Sequence, residues 1–292
     1  ELGPDGLWER SHAPRASPHR TAQPVEQAII ELRLRHPSWG AKKLLWTLQR
    51  RQPELELPCR TTVCEILKRN ALIESRRRPR PVGHPGRPSL VVKQPNDSWS
   101  MDFKGHFRTG DGKYLYPLTV TDNHSRYLLA CQGMAGTLLE PTQTVLTKLF
   151  KEHGLPTRLR SDNGVPFAAY SLGRLSKLSV WLLKVGVLPE LIEPGKPQQN
   201  GRHERMHRTL KDETLKPPAA NAQAQQRRFN VWRTEFNQER PHEALDGLVP
   251  ADVHRPSSRP MPSKLLAPDY PDRFEVRYVS ANGGIRWNNK WV

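Results

Sequence analysis

The sequence has little cysteine, no long hydrophobic run and a shortage of acidic residues. Its three cysteines, Cys59, Cys64 and Cys131, are odd in number and form no C-x-x-C pair, which argues against a disulfide framework or a Cys/His zinc site. Reduced thiols indicate a cytoplasmic setting. No stretch approaches the roughly 18 apolar residues of a membrane-spanning helix, and no signal peptide opens the chain. A membrane partner is therefore not expected.

The charge imbalance points to a polyanionic partner. The chain has 46 Lys and Arg against 29 Asp and Glu, a net charge of +17 and a pI of about 10.2. Such an imbalance causes self-repulsion in the folded state unless a partner relieves it. A membrane surface is the alternative polyanionic partner. Nucleic acid is expected instead, because neutralising its phosphates releases counterions.

Composition divides the N-terminal third into an arm, a helical module and a linker. Residues 1–22 are rich in Pro, Arg and His, so we interpret them as an extended arm, the remnant of a missing upstream module. Residues 23–73 contain three helical patterns, which favour a helix-turn-helix module whose third helix carries Lys68 and Arg69 toward DNA. A small helical bundle with an ordinary charged face is the alternative.

The linker, residues 74–97, interleaves prolines with arginines, among them Arg76, Arg77 and Arg78. Prolines at this density favour an extended chain. The arginines are predicted to follow a phosphate backbone, although a solvated basic linker is a common alternative.

Residues 98–255 read as an α/β core, and residues 256–292 as a linker with a small β-rich tail. The core pattern is βββαβαβα, which predicts an antiparallel start extended by parallel strands with helical crossovers. The strands predicted are 99–108, 114–121, 127–132, 157–161 and 188–192, and two of the helices are 199–215 and 222–240. In the tail, alternation over 274–278 and the Asn282-Gly283-Gly284 turn predict a hairpin.

Three carboxylates in the core are candidate catalytic residues. Asp102 lies within a strand pattern in W-S-M-D-F-K-G, where Asp is disfavoured. Asp162 follows a short strand in R-S-D-N-G, at the end of a strand where α/β sheets bind ligands, although a simple Asx turn explains it as well. Glu204 lies on a predicted helix with Arg208 and Lys211 on the same face, where an ordinary i, i+4 ion pair is the alternative. Asp122 is predicted to be structural because its surroundings are turn chemistry.

Three carboxylates can hold two divalent ions for phosphodiester chemistry. Mg²⁺ is preferred, with Mn²⁺ as the alternative, because the ligands are carboxylate oxygens completed by water and phosphate. His203 and His207 have a spacing that suits zinc, but no third ligand follows at a recognisable interval. The histidine pair is therefore not predicted to bind metal.

At these residues the chain resembles the transposases of bacterial insertion sequences that share a retroviral-integrase-type catalytic core, the DDE, ribonuclease-H-like superfamily. The resemblance is carried, in family order over residues 99 to about 245, by five motifs: W-S-M-D-F-K-G-H-F, Y-P-L-T-V-T-D-N-H-S-R-Y, R-S-D-N-G-V-P-F, P-G-K-P-Q-Q-N-G-R-H-E-R-M-H-R-T-L-K and F-N-Q-E-R-P-H-E-A-L.

The resemblance implies a ribonuclease-H-like mixed sheet flanked by helices, with a helix-turn-helix before it and a β-rich tail after it. It assigns catalysis and metal binding to Asp102, Asp162 and Glu204, and contact with the transposon end to Lys211. It implies metal-dependent cleavage and strand transfer of element ends into target duplex, by a homo-oligomer on DNA in the bacterial cytoplasm and nucleoid. A non-catalytic DNA-binding protein and a metal-dependent nuclease without joining activity are the alternatives.

The sequence departs from the family pattern in one spacing. Asp162 and Glu204 are 42 residues apart, longer than is usual in the family, and a longer helix around residues 170–186 is expected to absorb the difference.

Overall fold

The computed structural model describes residues 20–73, 92–164, 166–167, 176–193, 201–265, 271–280 and 283–291. Residues 20–73 and 238–252 belong to one compact unit, and the remaining described residues belong to a second. Most of the predicted arm and linker, including Arg76, Arg77 and Arg78, lies outside the described residues. No helix in the described ranges is long and apolar enough to cross a membrane.

The three helices predicted for the first unit are present. They are α1 (Gln23–Arg35), α2 (Ala41–Arg51) and α3 (Arg60–Arg69). Their apolar faces meet in one core that contains Ile29, Leu44 and Ile66, all at most 1% exposed. Because each helix buries only one stripe, the opposite faces expose basic residues, among them Lys42, Arg50 and Lys68.

Residues 238–252 pack in the first unit, although the sequence analysis places them at the end of the α/β core. They form a 3-10 turn (Glu243–Leu245) and most of α8 (Pro250–Val253). Arg50 of α2 donates to both carboxylate oxygens of Asp252 at 3.0 Å, and Arg51 donates to Glu239 at 2.7 Å. Gly247 has φ +88°, and a Cβ there would lie 2.7 Å from the Trp46 ring, so this close approach to α2 requires glycine.

The second unit is built on a six-stranded mixed sheet. Its strands are β1 (Ser98–Phe103), β2 (Phe107–Arg108), β3 (Tyr114–Asp122), β4 (Leu128–Met134), β5 (Arg158–Ser161) and β6 (Leu188–Leu191). β1 and β4 flank β3 antiparallel, and β5 and β6 continue the sheet from β1 in parallel. The fold class is the predicted ribonuclease-H-like mixed sheet, although the strand predicted over 99–108 is two strands, β1 and β2.

One face of this sheet is covered by α4 (Leu139–His153) and α5 (Lys177–Val185). Trp99 and Met101 of β1 point into this layer, where they pack in one apolar cluster with Phe150 of α4 and Leu182 of α5. Gly186 in the left-handed conformation ends α5 (φ 92°), as a C-cap requires. The residues expected to lengthen this helix, 170–175, lie outside the described residues.

The other face is covered by α6 (Gly201–Thr214) and α7 (Ala222–Gln238). A second apolar cluster joins Leu115 and Leu128 of the sheet to Leu210 of α6 and to Phe229 and Trp232 of α7. This cluster occupies only part of the face. The remainder, over the end of β1, is polar.

The tail contains a hairpin, but later in the chain than predicted. Strands β7 (Arg286–Trp287) and β8 (Lys290–Trp291) pair antiparallel around Asn288 and Asn289, which both have positive φ. Residues 274–278 are exposed and form no strand. The alternation there was a misleading signal because no neighbouring surface in the described residues buries its apolar side.

Candidate active site on the polar face of the sheet

Asp102 projects from β1 onto the sheet face that α6 covers. Alternation along the strand puts Met101 in the apolar cluster and Asp102 on the opposite side. The residue is half-buried, and its Cα partner on β3 is Thr119. A carboxylate inside a strand therefore sits beside a polar neighbour and not in the core.

Asp162 directly follows β5. The parallel register of β1 and β5 ends at the pair of Ser100 and Arg160, two residues before Asp102 and Asp162. In the described residues the three candidate carboxylates do not form one group of close ligand atoms. Asp162 Oδ1 also accepts a 3.0 Å hydrogen bond from the Gly164 amide. The Asx turn expected as the structural alternative is therefore present, and its hydrogen bond also orients the Asp162 carboxylate.

Glu204 lies on an exposed flank of α6. The helix buries His203, Met206 and His207 against the sheet. Glu213, nine residues after Glu204 and so half a turn away around the helix, accepts a 2.7 Å hydrogen bond from the Trp232 indole of α7. The flank that carries Glu204 therefore faces away from α7.

Arg208 and Lys211 share the flank of Glu204, as their spacing predicts, and both are exposed. In the first unit Lys68 is exposed too, whereas the Arg69 guanidinium forms an ion pair with the Glu26 carboxylate of α1. The positive charge of Arg69 is therefore partly neutralised by Glu26 within the first unit. The roles of all four residues at DNA stay predictions.

A buried histidine pair fastens α6 to the sheet. Thr119 Oγ1 lies 2.6 Å from His203 Nε2 and 2.7 Å from His207 Nε2, and it donates to the Asp102 carbonyl at 3.1 Å. A hydroxyl has one proton. With that proton on the Asp102 carbonyl, both imidazoles donate from Nε2, and all three contacts are satisfied.

Both imidazoles are neutral at physiological pH. Burial lowers the pKa of His203 to about 3. Burial also lowers the pKa of His207 to about 2, with smaller contributions from His203 and Lys104. The charged form is disfavoured because the side chains have lost their water.

The fold places Asp102, a possible third metal ligand, beside the histidine pair. Ligand atoms of Asp102, His203 and His207 all lie within 4.8 Å of one another, and Asp102 Oδ2 is 3.8 Å from His207 Nδ1. No third ligand is recognisable from sequence spacing because Asp102 is remote in sequence, and only the packing of α6 on β1 brings it close to the pair. However, both Nε2 atoms are already occupied by the Thr119 hydroxyl.

Asp122 has the structural role that its turn sequence predicts. It is fully buried, and its carboxylate accepts from the Asn96 amide at 2.8 Å, the Ser125 amide at 2.7 Å and the Ser125 hydroxyl at 2.6 Å. These bonds hold the turn between β3 and β4, and they leave Asp122 no part in the polar face.

Comparison with known proteins gives this architecture a family. Two sequence models, both described as integrase core domain, match residues 92–197 and residues 185–250. Residues 92–250 belong to the integrase core family. The matched region contains Asp102, Asp162 and Glu204, and it extends into the segment that packs with the N-terminal helices.

Curated relatives of this integrase-core chain are proteins of insertion elements. An uncharacterized 39.2 kDa protein of insertion element IS476 from Xanthomonas euvesicatoria is 28% identical over 246 residues, which are 82% of this chain and 66% of the relative. An uncharacterized 31.7 kDa protein of IS407 from Burkholderia multivorans is 29% identical over 162 residues, 54% of this chain and 55% of the relative. The chain thus spans between about half and two thirds of these relatives' lengths.

Among solved structures, the HTLV-2 integrase catalytic core domain in complex with magnesium matches at 15% identity with a TM-score of 0.44. The match covers 56% of this chain and 98% of that domain. The family assignment rests on the sequence matches.

Proposed function

We propose that this chain is a DDE-type polynucleotidyl transferase that cleaves the ends of an insertion element and joins them to target DNA. The observation that supports the proposal is the β1–β5 register, whose last pair, Ser100 and Arg160, lies two residues before Asp102 and Asp162. Glu204 lies on α6, the helix whose buried His203 and His207 lie beside Asp102. The integrase core match and the net charge of +17 support DNA as the substrate.

The donor set fits divalent ions of the magnesium type. Carboxylates offer hard oxygen ligands, and sites of this type keep positions for water and for substrate phosphate. Asp102 is half-buried and Glu204 is exposed, so the group is open to a strand of DNA. When bound, such ions supply charge stabilisation at the phosphorus and at the entering and leaving oxygens.

The remaining residues orient the substrate and the carboxylates. Arg208 and Lys211, on the flank of Glu204, hold the phosphates of the element end. The His203–Thr119–His207 contacts hold α6, the helix that carries Glu204, on β3. A neutral histidine pair does this without adding charge beneath the carboxylates.

Two successive displacements at phosphorus account for the reaction. In the first, water attacks the phosphodiester at the element end, and the 3′ oxygen leaves as a hydroxyl. In the second, that hydroxyl attacks a target phosphodiester, and the target's own 3′ oxygen leaves. Two ends must be joined to one target, so we expect at least two copies of the chain to assemble on DNA.

The test uses the full chain with an end-bearing duplex and a supercoiled target plasmid in Mg²⁺ or Mn²⁺. The wild type is expected to nick the duplex and to join it to the plasmid, whereas Asp162→Asn and Glu204→Gln give neither product. Asp212→Asn, which removes a carboxylate from α6 outside the Glu204 flank, is the matched control and keeps both activities.

Three outcomes contradict the proposal in different ways. Wild-type product yields from Asp162→Asn would remove the carboxylate assignment. Hydrolysis without joined product would indicate a nuclease. A gel shift without cleavage would indicate a non-catalytic DNA-binding protein.

A further inference from the structure

Two arginines converge on one carbonyl oxygen at the start of α6. Arg126, in the turn between β3 and β4, donates from Nη1 to the Asn123 carbonyl, and Arg202 Nη1 lies 3.5 Å from the same oxygen. Arg205 follows Arg202 by three residues on α6, a spacing that makes them neighbours on the helix surface. Three guanidinium groups therefore share one small region.

The described residues supply no carboxylate partner to this arginine cluster of Arg126, Arg202 and Arg205. Arg160 nearby forms an ion pair with Glu190 at 2.7 Å, whereas none of the three forms such a pair in the part of the chain that the structure describes. Asp122 is the nearest acid in sequence to Arg126, and its charge partly offsets the fall in the pKa of Arg126, but its oxygens accept hydrogen bonds from the Asn96 amide and from Ser125.

The arginine cluster lowers the stability of the folded chain. Burial lowers the pKa of Arg126 to about 10, and the charge of Arg202 contributes to the same shift. Arg126 further adopts φ 64°, a backbone conformation that is uncommon outside glycine and costs free energy. Like charges in such a setting are held together at the expense of stability unless an anion sits among them.

The cluster lies on the same sheet face as the candidate carboxylates. The Asn123 amide donates to the Ser98 hydroxyl at 3.1 Å and to the Ser100 hydroxyl at 2.8 Å. Ser100 precedes Asp102 on β1 by two residues, so the cluster is on the order of 10 Å from Asp102 at about 3.3 Å per residue. That distance corresponds to a few nucleotides of a DNA strand.

We propose that Arg126, Arg202 and Arg205 form a phosphodiester-binding site that holds the DNA strand a few nucleotides from the reacting phosphate. Guanidinium groups match phosphate oxygens in bidentate geometry, and the N-terminal end of α6 adds its own favourable dipole. This inference rests on the proposed function for the identity of the strand. It adds a substrate contact at the N-terminal part of α6 to the contacts proposed for Arg208 and Lys211 later in the helix.

The first test measures how DNA binding by the full chain depends on salt, in EDTA so that no cleavage occurs. Arg126→Asn, Arg202→Gln and Arg205→Gln are compared with Arg227→Gln, which removes the same charge from an exposed position on α7. Asn suits position 126 because it tolerates positive φ. Each cluster variant is expected to lower the slope of log K against log salt by about 0.9, the loss of one phosphate contact, and to bind about 10-fold more weakly at low salt. Arg227→Gln is expected to leave the slope unchanged.

The second test measures melting temperature with inorganic pyrophosphate as the probe. Pyrophosphate is expected to raise the melting temperature of the wild type and of Arg227→Gln, but to have little effect on an Arg202→Gln, Arg205→Gln double variant. Without the probe, Arg205→Gln is expected to melt slightly above the wild type because Arg205 makes no side-chain bond within the described residues and its removal relieves repulsion.

The proposal is overturned if the three cluster variants keep the wild-type slope, or if pyrophosphate stabilises the double variant as much as the wild type. Those results can occur while Asp162→Asn still abolishes cleavage, in which case the proposed function stands and the arginine site falls. A wild-type chain that binds no DNA would overturn both.

Discussion

The two faces of the central sheet differ in what they bury. Beneath α4 and α5 the face is mainly apolar, with Trp99, Met101 and Phe150 each at most 1% exposed, although the helices also bury Thr142 and Ser179. Beneath α6 and α7 the face is apolar only in part, and the rest holds Asp102 and two neutral histidines. One face thus provides the packing that holds the strands in register, and the other uses that register to bring polar groups together.

The comparison is sharpest at two adjacent residues, Met101 and Asp102, which point to opposite faces of β1. Asp102→Asn is expected to reduce cleavage and joining by about 10³-fold, or about 4 kcal/mol in the barrier, because an amide is a poor metal ligand. Its melting temperature should stay near that of the wild type. If Asp102→Asn lost activity only because the protein unfolded, the two faces of the sheet would not have separate roles in stability and chemistry.

Met101→Ala should do the reverse. Removing a fully buried side chain from the apolar cluster is expected to lower the free energy of unfolding by about 3 kcal/mol. Urea denaturation measures this loss. Activity per folded molecule should remain close to that of the wild type, and a 10³-fold loss in a fully folded Met101→Ala preparation would show that the apolar face also contributes directly to the chemistry.

Thr119→Val tests whether the polar face is held by its hydrogen bonds. The change leaves two buried imidazole Nε2 atoms without their partner, which is expected to cost about 2 kcal/mol of stability and to reduce activity about 10-fold as α6 loosens. Thr144→Val, which removes an exposed hydroxyl bonded within α4, is the control and should change neither. Equal stability of the two variants would show that the histidine contacts are dispensable.

The last expected effect is a pH dependence of stability to which His203 on the polar face contributes. His203 has an ordinary pKa of 6.5 and a folded pKa lowered to about 3, so between these values the unfolded chain binds a proton that the folded chain does not. Stability is therefore present above about pH 6.5 and is lost as the pH falls toward 3, by up to about 1.4 kcal/mol per pH unit.

Urea titrations at pH 7.5 and pH 5 measure this effect. His203→Asn should weaken the dependence without abolishing it, because burial also lowers the pKa of His207 to about 2 and that of His254 to about 4. His106→Asn, at an exposed position, should leave it as in the wild type. An unchanged pH dependence in His203→Asn would show that folding does not lower the pKa of His203.

Sequence reasoning worked where the signal is local. Alternation placed Asp102 in a strand, and helical spacing placed Glu204, Arg208 and Lys211 on one flank of α6. It failed where local pattern was ambiguous: the strand predicted over 99–108 divides after Phe103, and the alternation over 274–278 forms no strand. These failures share a cause, because a strand exists only if another strand pairs with it.

The candidate site was predictable in part. The carboxylates could be found because each breaks a local rule and because their motifs follow a family order. The histidine pair could not be assigned because its third neighbour, Asp102, is about a hundred residues away in sequence. The arginine cluster could not be predicted either. No local pattern distinguishes its three arginines among the 46 Lys and Arg of the chain, and only the fold brings them together.

By itself, the sequence determined which segments are helices and which are strands in most of the chain. It also indicated that the charge favours nucleic acid as a partner, and it identified the carboxylates to test. Only the tertiary structure decided that Asp102 lies beside His203 and His207, that Arg126 meets Arg202, and that residues 238–252 pack with the N-terminal helices. The reason is physical. Periodicity and propensity act within a few residues, whereas these contacts depend on sheet register and helix docking, which the whole folded chain sets at once.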